Sequence, residues 1–267
     1  MFVKLIFMPN FQSHIKVCFK SISPYVLLVG DPSRVDVVGS FLENFKVLSN
    51  TREFRLGVGV YLGKKITVCS TGIGCPATAI AAEELINAGA TTLIRIGTCG
   101  GAWRSDITLG SIILPIASVR DEGTSIEYIP LGFPAVASYE LIDALAKSAK
   151  KNGQKYFVGI NRTHDAFYGV QNSILKWGRY LLDKRWKNYE SPIISSEMEC
   201  SILYIIASMR GVRAGAILAV NSEPEPLKQR LVGNKQQVNS EYSVDFTSSI
   251  ISKTIKVALD AVSSFKN

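Results

Sequence analysis

The chain has 267 residues, of which 47% are hydrophobic and 19% charged, a balance that suits one folded domain with a sizeable core and excludes a disordered chain. Its net charge of +8 is scattered, and the densest basic cluster, Lys184-Arg185-Trp186-Lys187, is short; this reads as a solvated face that can draw in anions, not as a nucleic-acid patch. Five cysteines with no CxxC pair and only two histidines argue against a metal centre, and the odd count points to reduced thiols in the cytoplasm.

The stretch from Met1 to Met8 is apolar but too short to span a membrane, and it lacks a signal-peptide cleavage site. Residues 1–9 are expected to be disordered or over-called, and residues 10–267 to form one domain. Residues 25–29 are an apolar run ending at Gly30, a buried strand. Asp31-Pro32 is turn chemistry, and Ser33-Arg34-Val35 opens a helix towards Phe41. Residues 58–62 and 65–70, around Gly63-Lys64, predict a hairpin. Thr71-Gly72-Ile73-Gly74 then leads through Pro76 into a helix over 77–88, stopped by Gly89. Cys69 and Cys75 flank this turn, and a disulfide between them stays open.

Further strands are predicted over 91–96, 111–119, 156–160 and 212–220. Helices are predicted from Ser138 to about Lys151, over 196–209 and over 243–265. The alternation predicts a single-domain α/β fold, a three-layer αβα sandwich around a central mixed sheet.

Four blocks carry chemistry: Gly30-Asp31-Pro32-Ser33-Arg34, Thr51-Arg52-Glu53-Phe54, Arg95-Ile96-Gly97-Thr98-Cys99-Gly100 and Ser196-Glu197-Met198-Glu199. Arginines on or beside apolar runs need an anion, and phosphate suits the guanidinium fork. Arg95, flanked by Ile94 and Ile96, is the strongest single residue; the rival reading is a structural buried ion pair. Gly30 to Arg34 follows a strand, where open α/β sheets bind ligands, but it also reads as an ordinary turn. The Gly72-Ile73-Gly74 loop lacks the third glycine of a dinucleotide motif, since Ala77 stands there; it reads either as backbone passing close to a ligand or as a tight turn. Glu197 and Glu199, two apart at a helix entry, diverge if helical; in a pre-helical turn one binds ribose hydroxyls and the other a base edge. Phe167-Tyr168 and Gln171 can stack on and read a nucleobase, or be core aromatics and a loop glutamine. His14 and His164 are isolated, and for a lone histidine a structural role is the ordinary one.

In this order and spacing the blocks resemble the nucleoside phosphorylase family, which includes uridine phosphorylases and the hexameric purine nucleoside phosphorylases. The likeness runs from about His14 to the last helix. It is nearest to the uridine enzymes through Cys69 to Gly74 and the run from Glu127 to Ala137. The resemblance implies reversible phosphorolysis of a nucleoside, uridine first, with inorganic phosphate as co-substrate and no metal or organic cofactor. Purine or methylthioadenosine phosphorolysis, a nucleosidase and a non-enzymatic nucleotide-binding protein are the alternatives. The resemblance places Gly30, Arg34, Arg52, Arg95 and Thr98 at phosphate, and His14, Thr98, Met198 and Glu199 at ribose. Phe167, Gln171 and Glu197 fall at the base, with Arg95, Glu199 and Gln171 catalytic. Arg52 and His14 would come from a neighbouring subunit, in a dimer assembled as a trimer of dimers, with no nucleic acid or membrane partner. Two departures leave the base open: Ser173 stands where uridine phosphorylases carry an arginine, and Ser222 where bacterial-type purine enzymes carry an aspartate.

Overall fold

The computed structural model describes residues 11–100, 106–167, 193–222 and 244–265. In these, one mixed sheet of ten strands is flanked by six helices. The strands are β1 (Tyr25–Val29), β2 (Glu43–Thr51), β3 (Phe54–Tyr61), β4 (Lys64–Ser70), β5 (Thr92–Gly100), β6 (Ile112–Asp121), β7 (Ala135–Val136), β8 (Tyr156–His164), β9 (Ile193–Glu197) and β10 (Arg213–Ser222). The helices are α1 (Ser33–Gly39), α2 (Cys75–Asn87), α3 (Thr124–Tyr128), α4 (Tyr139–Lys151), α5 (Cys200–Arg210) and α6 (Val244–Ser264).

β1 lies between β4 and β5, parallel to both. All five of its residues are buried, which is why it reads as an unbroken apolar run: a parallel strand covered on both faces has no solvent side to mark with polar residues. β2, β3 and β4 continue antiparallel to one edge. The β3–β4 turn is Leu62-Gly63, both at positive φ, as a tight two-residue hairpin requires.

On the other side β5 runs parallel to β10, β10 antiparallel to β6, and β6 and β8 parallel to β8 and β9 in turn. β9 returns to β5 through the pair Gly100–Ser196. Five strands thus close into a ring that the sequence did not announce. α2 packs against α5 and α4 against α6. A Cβ on Gly215 of β10 would lie 3.1 Å from Leu141 of α4, so the odd positions of that strand face α4. Ala216 pairs with Arg95 and faces the other way, toward the segment that opens α5. Helices therefore cover both faces, as expected of a layered α/β domain.

One strand is new, one expected boundary moves and one open question closes. β2 was not foreseen, because an edge strand carrying Glu43, Asn44 and Lys46 outward lacks the alternation that marks a half-buried one. The helix expected over 196–209 starts only at Cys200, and β9 precedes it. Cys69 and Cys75 do not pair; all five cysteines are free. No helix among the described residues is long and apolar enough to cross a membrane. The Lys184–Lys187 cluster and residues 1–10 lie outside the described residues.

Candidate active site

Arg95 lies in the middle of β5, not at its end, and only 5% of its surface is exposed. Its guanidinium folds back over the next residue on the same face. A Cβ on Gly97 would stand 2.9 Å from Arg95 Nη2 and 3.1 Å from Cζ, closer than side-chain atoms approach. Gly97 therefore makes room for the arginine; its value is spatial, since its φ is not positive.

The fork is held by both glutamates. Arg95 Nε donates to Glu197 Oε2 at 3.1 Å, and Nη2 donates to Glu199 Oε2. Of the two readings of the acids, the helical one, in which they diverge, does not hold. Glu197 ends β9, and Glu199 is the non-helical cap of α5 with φ −141°. In extended chain, residues two apart point the same way, so both carboxylates meet one guanidinium while Met198 lies between them, its carbonyl accepting from Cys75 Sγ at 3.1 Å.

The two acids are not equivalent. Glu197 Oε1 accepts from Asn161 Nδ2 at 2.8 Å and Thr163 Oγ1 at 2.7 Å. Its Oε2 accepts from the Glu199 amide at 2.8 Å, and the Cys200 amide bridges both oxygens at 3.1 and 3.0 Å. With Arg95 added, its acceptor sites are filled. This corrects the assignment of Glu197 to a base edge: the carboxylate is consumed inside the protein. Glu199 accepts from the Gly74 amide at 2.7 Å and the Met198 amide at 3.2 Å. The Gly72-Ile73-Gly74 turn therefore spends a backbone N–H on Glu199.

Burial works against both charges. At Glu197 the nearby Arg95 and the Thr163 and backbone donors overcome it, and its pKa lies below the usual carboxylate value. At Glu199 burial, reinforced by the negative charge of Glu197, outweighs Arg95 and raises the pKa. Burial likewise opposes the charge of Arg95, but the two acids more than restore it.

One part of Arg95 is left over. Its Nη1 is buried and has no partner among the described residues. Arg34, on the first turn of α1, is partly buried, and its guanidinium makes no hydrogen bond or ion pair within the described residues. Burial and then, after partial relief from Asp31, the charge of Arg95 lower its pKa. Two desolvated guanidinium groups that feel one another call for an anion between them. Gly30, at the end of β1, has the same implication. Among the described residues an added Cβ would meet only the Gly72 carbonyl oxygen, at 3.5 Å, so none of them demands glycine there. Thr98 is half-buried on β5, three residues beyond Arg95.

The remaining expected residues lie elsewhere. Arg52 is exposed at the tip of the β2–β3 hairpin, with φ 55°. His14 is docked on α2: its amide donates to both Glu84 oxygens (3.0 and 2.9 Å), the Ile15 amide donates to Oε2 (2.8 Å), and its Nδ1 lies 2.6 Å from Oε1. Its imidazole stays 40% exposed. Phe167 is 64% exposed. Gln171, Tyr168 and Ser173 lie outside the described residues, so the base pocket is not described. Sequence reasoning missed Asn161, Thr163 and Glu84; their only signal is polarity inside otherwise apolar elements. Among the described residues Cys75, Glu122 and Asp165 are grouped closely enough to hold an ion. Yet Glu122 already accepts from Ser201 and Ser125, Asp165 from Gly123, and Cys75 donates to Met198.

Comparison with known proteins follows the same lines. The family model described as the phosphorylase superfamily matches residues 24–255. A uridine phosphorylase of Thermococcus kodakarensis is 39% identical over 215 residues, 78% of this chain and 76% of that protein. A guanosine phosphorylase of Halorubrum lacusprofundi is 31% identical over 252 residues, 94% of this chain and 98% of that protein. The crystal structure of a uridine phosphorylase from Vibrio fischeri superposes with a TM-score of 0.79 at 32% identity, covering 97% of this chain and 99% of that one.

Proposed function

Because this chain belongs to the phosphorylase superfamily, we propose that it catalyses the reversible phosphorolysis of a nucleoside, with uridine as the preferred substrate. The observation that carries the reading is the buried guanidinium of Arg95, with its unpartnered Nη1, near the partly buried guanidinium of Arg34 and the carboxylate of Glu199. An anion and a sugar hydroxyl are what these groups lack. Inorganic phosphate fits between the arginines with Gly30 and Thr98 alongside. Glu199 and Met198 take the ribose.

In the reaction an oxygen of phosphate forms a bond to C1′ as the C1′–N bond breaks. The bonding electrons leave with the base, which Gln171 stabilises by hydrogen bonding and which takes up, through solvent, the proton that hydrogen phosphate gives up on becoming ribose 1-phosphate. The positive charge that develops on the sugar faces the phosphate dianion, while fixed guanidinium groups hold that dianion in line. The protein's contribution is thus positioning and preformed electrostatics. Phosphate is a substrate, and no other cofactor enters.

Arg52 and His14 complete the site from a neighbouring subunit. Both are presented at the surface, Arg52 on a hairpin tip and His14 held outward by Glu84. The exposed Ile116, Val136 and Ile160 on the adjacent strands β6, β7 and β8 give further apolar surface for assembly of such dimers into a trimer of dimers. The test is a panel of uridine, thymidine, inosine, guanosine, adenosine and methylthioadenosine, with and without phosphate. Phosphate-dependent release of uracil with ribose 1-phosphate is expected; base release that ignores phosphate overturns the reading. A second reading, purine phosphorolysis, draws on the guanosine phosphorylase that matches nearly the whole chain. Turnover of guanosine or inosine above that of uridine would select it.

A further inference from the structure

Behind Glu197 lies a set of neutral polar side chains that no reacting atom can reach. Asn161 and Thr163 of β8 and Ser195 of β9 have no exposed surface, and Ser118 of β6 is 7% exposed. Burying four such groups costs free energy unless each is bonded, and each is. Ser195 Oγ donates to Asn161 Oδ1 at 2.8 Å, which orients the amide so that its Nδ2 points at Glu197. Thr163 Oγ1 accepts from the Ser201 amide at 3.0 Å and pairs with Ser118 Oγ at 2.7 Å while donating to Glu197. The strand register makes this alignment, since Asn161 pairs with Ser195 and Thr163 with Glu197 across β8 and β9.

The consequence falls on Arg95. One guanidinium faces two acids, and only the geometry of those acids decides which of its N–H groups is spent. Glu197, fixed by the two donors of β8, takes Nε from the side; Glu199 takes Nη2; Nη1 is left over. Without those donors Glu197 Oε1 would keep only the Cys200 amide, at 3.1 Å, and the carboxylate could turn about its Oε2 contacts and take the guanidinium with it. We infer that Asn161 and Thr163 are positioning residues for the anion site: acting through Glu197, they fix the roll of the Arg95 guanidinium so that Nη1 remains available to phosphate. They also commit Glu197 to the protein, leaving Glu199 as the acid for the sugar. The inference rests on the phosphorylase reading.

The experiment is calorimetric titration of the full chain with inorganic phosphate, together with the pH profile of kcat/KM for phosphate. It compares the parent chain with Thr163→Val, Thr163→Ser and Asn161→Ala. Thr163→Val should weaken phosphate binding by about tenfold, the low end of what a hydrogen bond to a charged group contributes, and should move the acid limb of the profile to higher pH. Thr163→Ser, which keeps the hydroxyl, should restore both. Asn161→Ala leaves the bond between Thr163 and the Ser201 amide in place. It should show the same weakening in smaller measure, and it decides the matter if Thr163→Val does not fold. Folded variants that bind phosphate as the parent does, with an unmoved profile, overturn the inference alone. A parent chain that shows no phosphate binding overturns the phosphorylase reading and this inference with it.

Discussion

At the scale of single residues, two glycines do opposite things. Gly97 is confined by the protein: Arg95 and Leu218 occupy the space a methyl would need. Gly97→Ala should therefore destabilise the fold by about 1–3 kcal/mol, the usual cost of overpacking, and displace the guanidinium; chemical denaturation together with phosphate titration checks both. Gly30 is unconfined, so Gly30→Ala should leave the denaturation midpoint nearly unchanged while raising KM for phosphate. A stable variant with normal phosphate kinetics would mean that nothing binds beside Gly30. The two glutamates part in the same way. The pKa of Glu199 is raised, by burial and then by Glu197 after Arg95's opposition, so its carboxylate form is lost on acidification sooner than an ordinary glutamate's. If that form holds the sugar, kcat/KM for the nucleoside should fall on an acid limb lying above the ordinary value of 4.5, and Glu199→Gln should abolish the limb along with most activity. The stability linkage of the pair has two signs. Glu197, with a lowered pKa, stabilises the fold above its unfolded-state value, and that contribution is lost as pH falls through its folded value. Glu199, with a raised pKa, costs stability above its folded value and regains it as pH falls.

At the scale of elements, α2 serves two segments that are distant in sequence. Its N-terminal Gly74 amide holds Glu199, and one helical stretch later Glu84 holds the amides of His14 and Ile15. Glu84→Ala should cost about 1–3 kcal/mol, because buried N–H donors lose their acceptor. It should also raise hydrogen exchange over residues 11–18, with exchange elsewhere unchanged. The legibility of these elements follows their solvent contact. β1, α2 and the arginine strand declare themselves by apolar runs, Pro76 and closing glycines. β2 does not, since its polar outward face resembles a loop. β9 does not either, because Ile193-Ile194 is its only apolar stretch and the Ser195-Ser196-Glu197 that completes it reads as a helix start. That one missed strand is why the acids were expected to diverge: a helical period separates positions two apart, whereas the extended chain that is present superposes them. The arginines assigned to phosphate stand out because charge beside an apolar run is rare in sequence. Asn161, Thr163 and Glu84 were not, because their meaning lies in partners 34 to 70 residues away.

At the scale of the whole molecule, the site draws on β1, β5, the β9–α5 turn and, in the proposed assembly, a second subunit. Complementation tests that division. Arg95→Ala is a poor partner for the test, because it strands two buried carboxylates at a cost of about 3–5 kcal/mol. Arg34→Ala removes a side chain with no bonds in the described residues and should leave the fold sound. Co-refolding Arg34→Ala with Arg52→Ala subunits, each inactive alone, should restore about a quarter of the native activity, since half the dimers are mixed and each mixed dimer has one intact site. No recovery would place Arg52 in its own subunit's chemistry, and an Arg52→Ala chain active on its own would place it outside the site. The strand ring bears on a different property. β5 is bonded to β1, β10 and β9 at once, so its amides have no route to solvent short of opening the domain. They should exchange hydrogen only at the rate of global unfolding. The guanidinium proposed to receive the anion is therefore mounted on a slow-relaxing strand of the described residues, and reorganisation during turnover would fall to the segments around it.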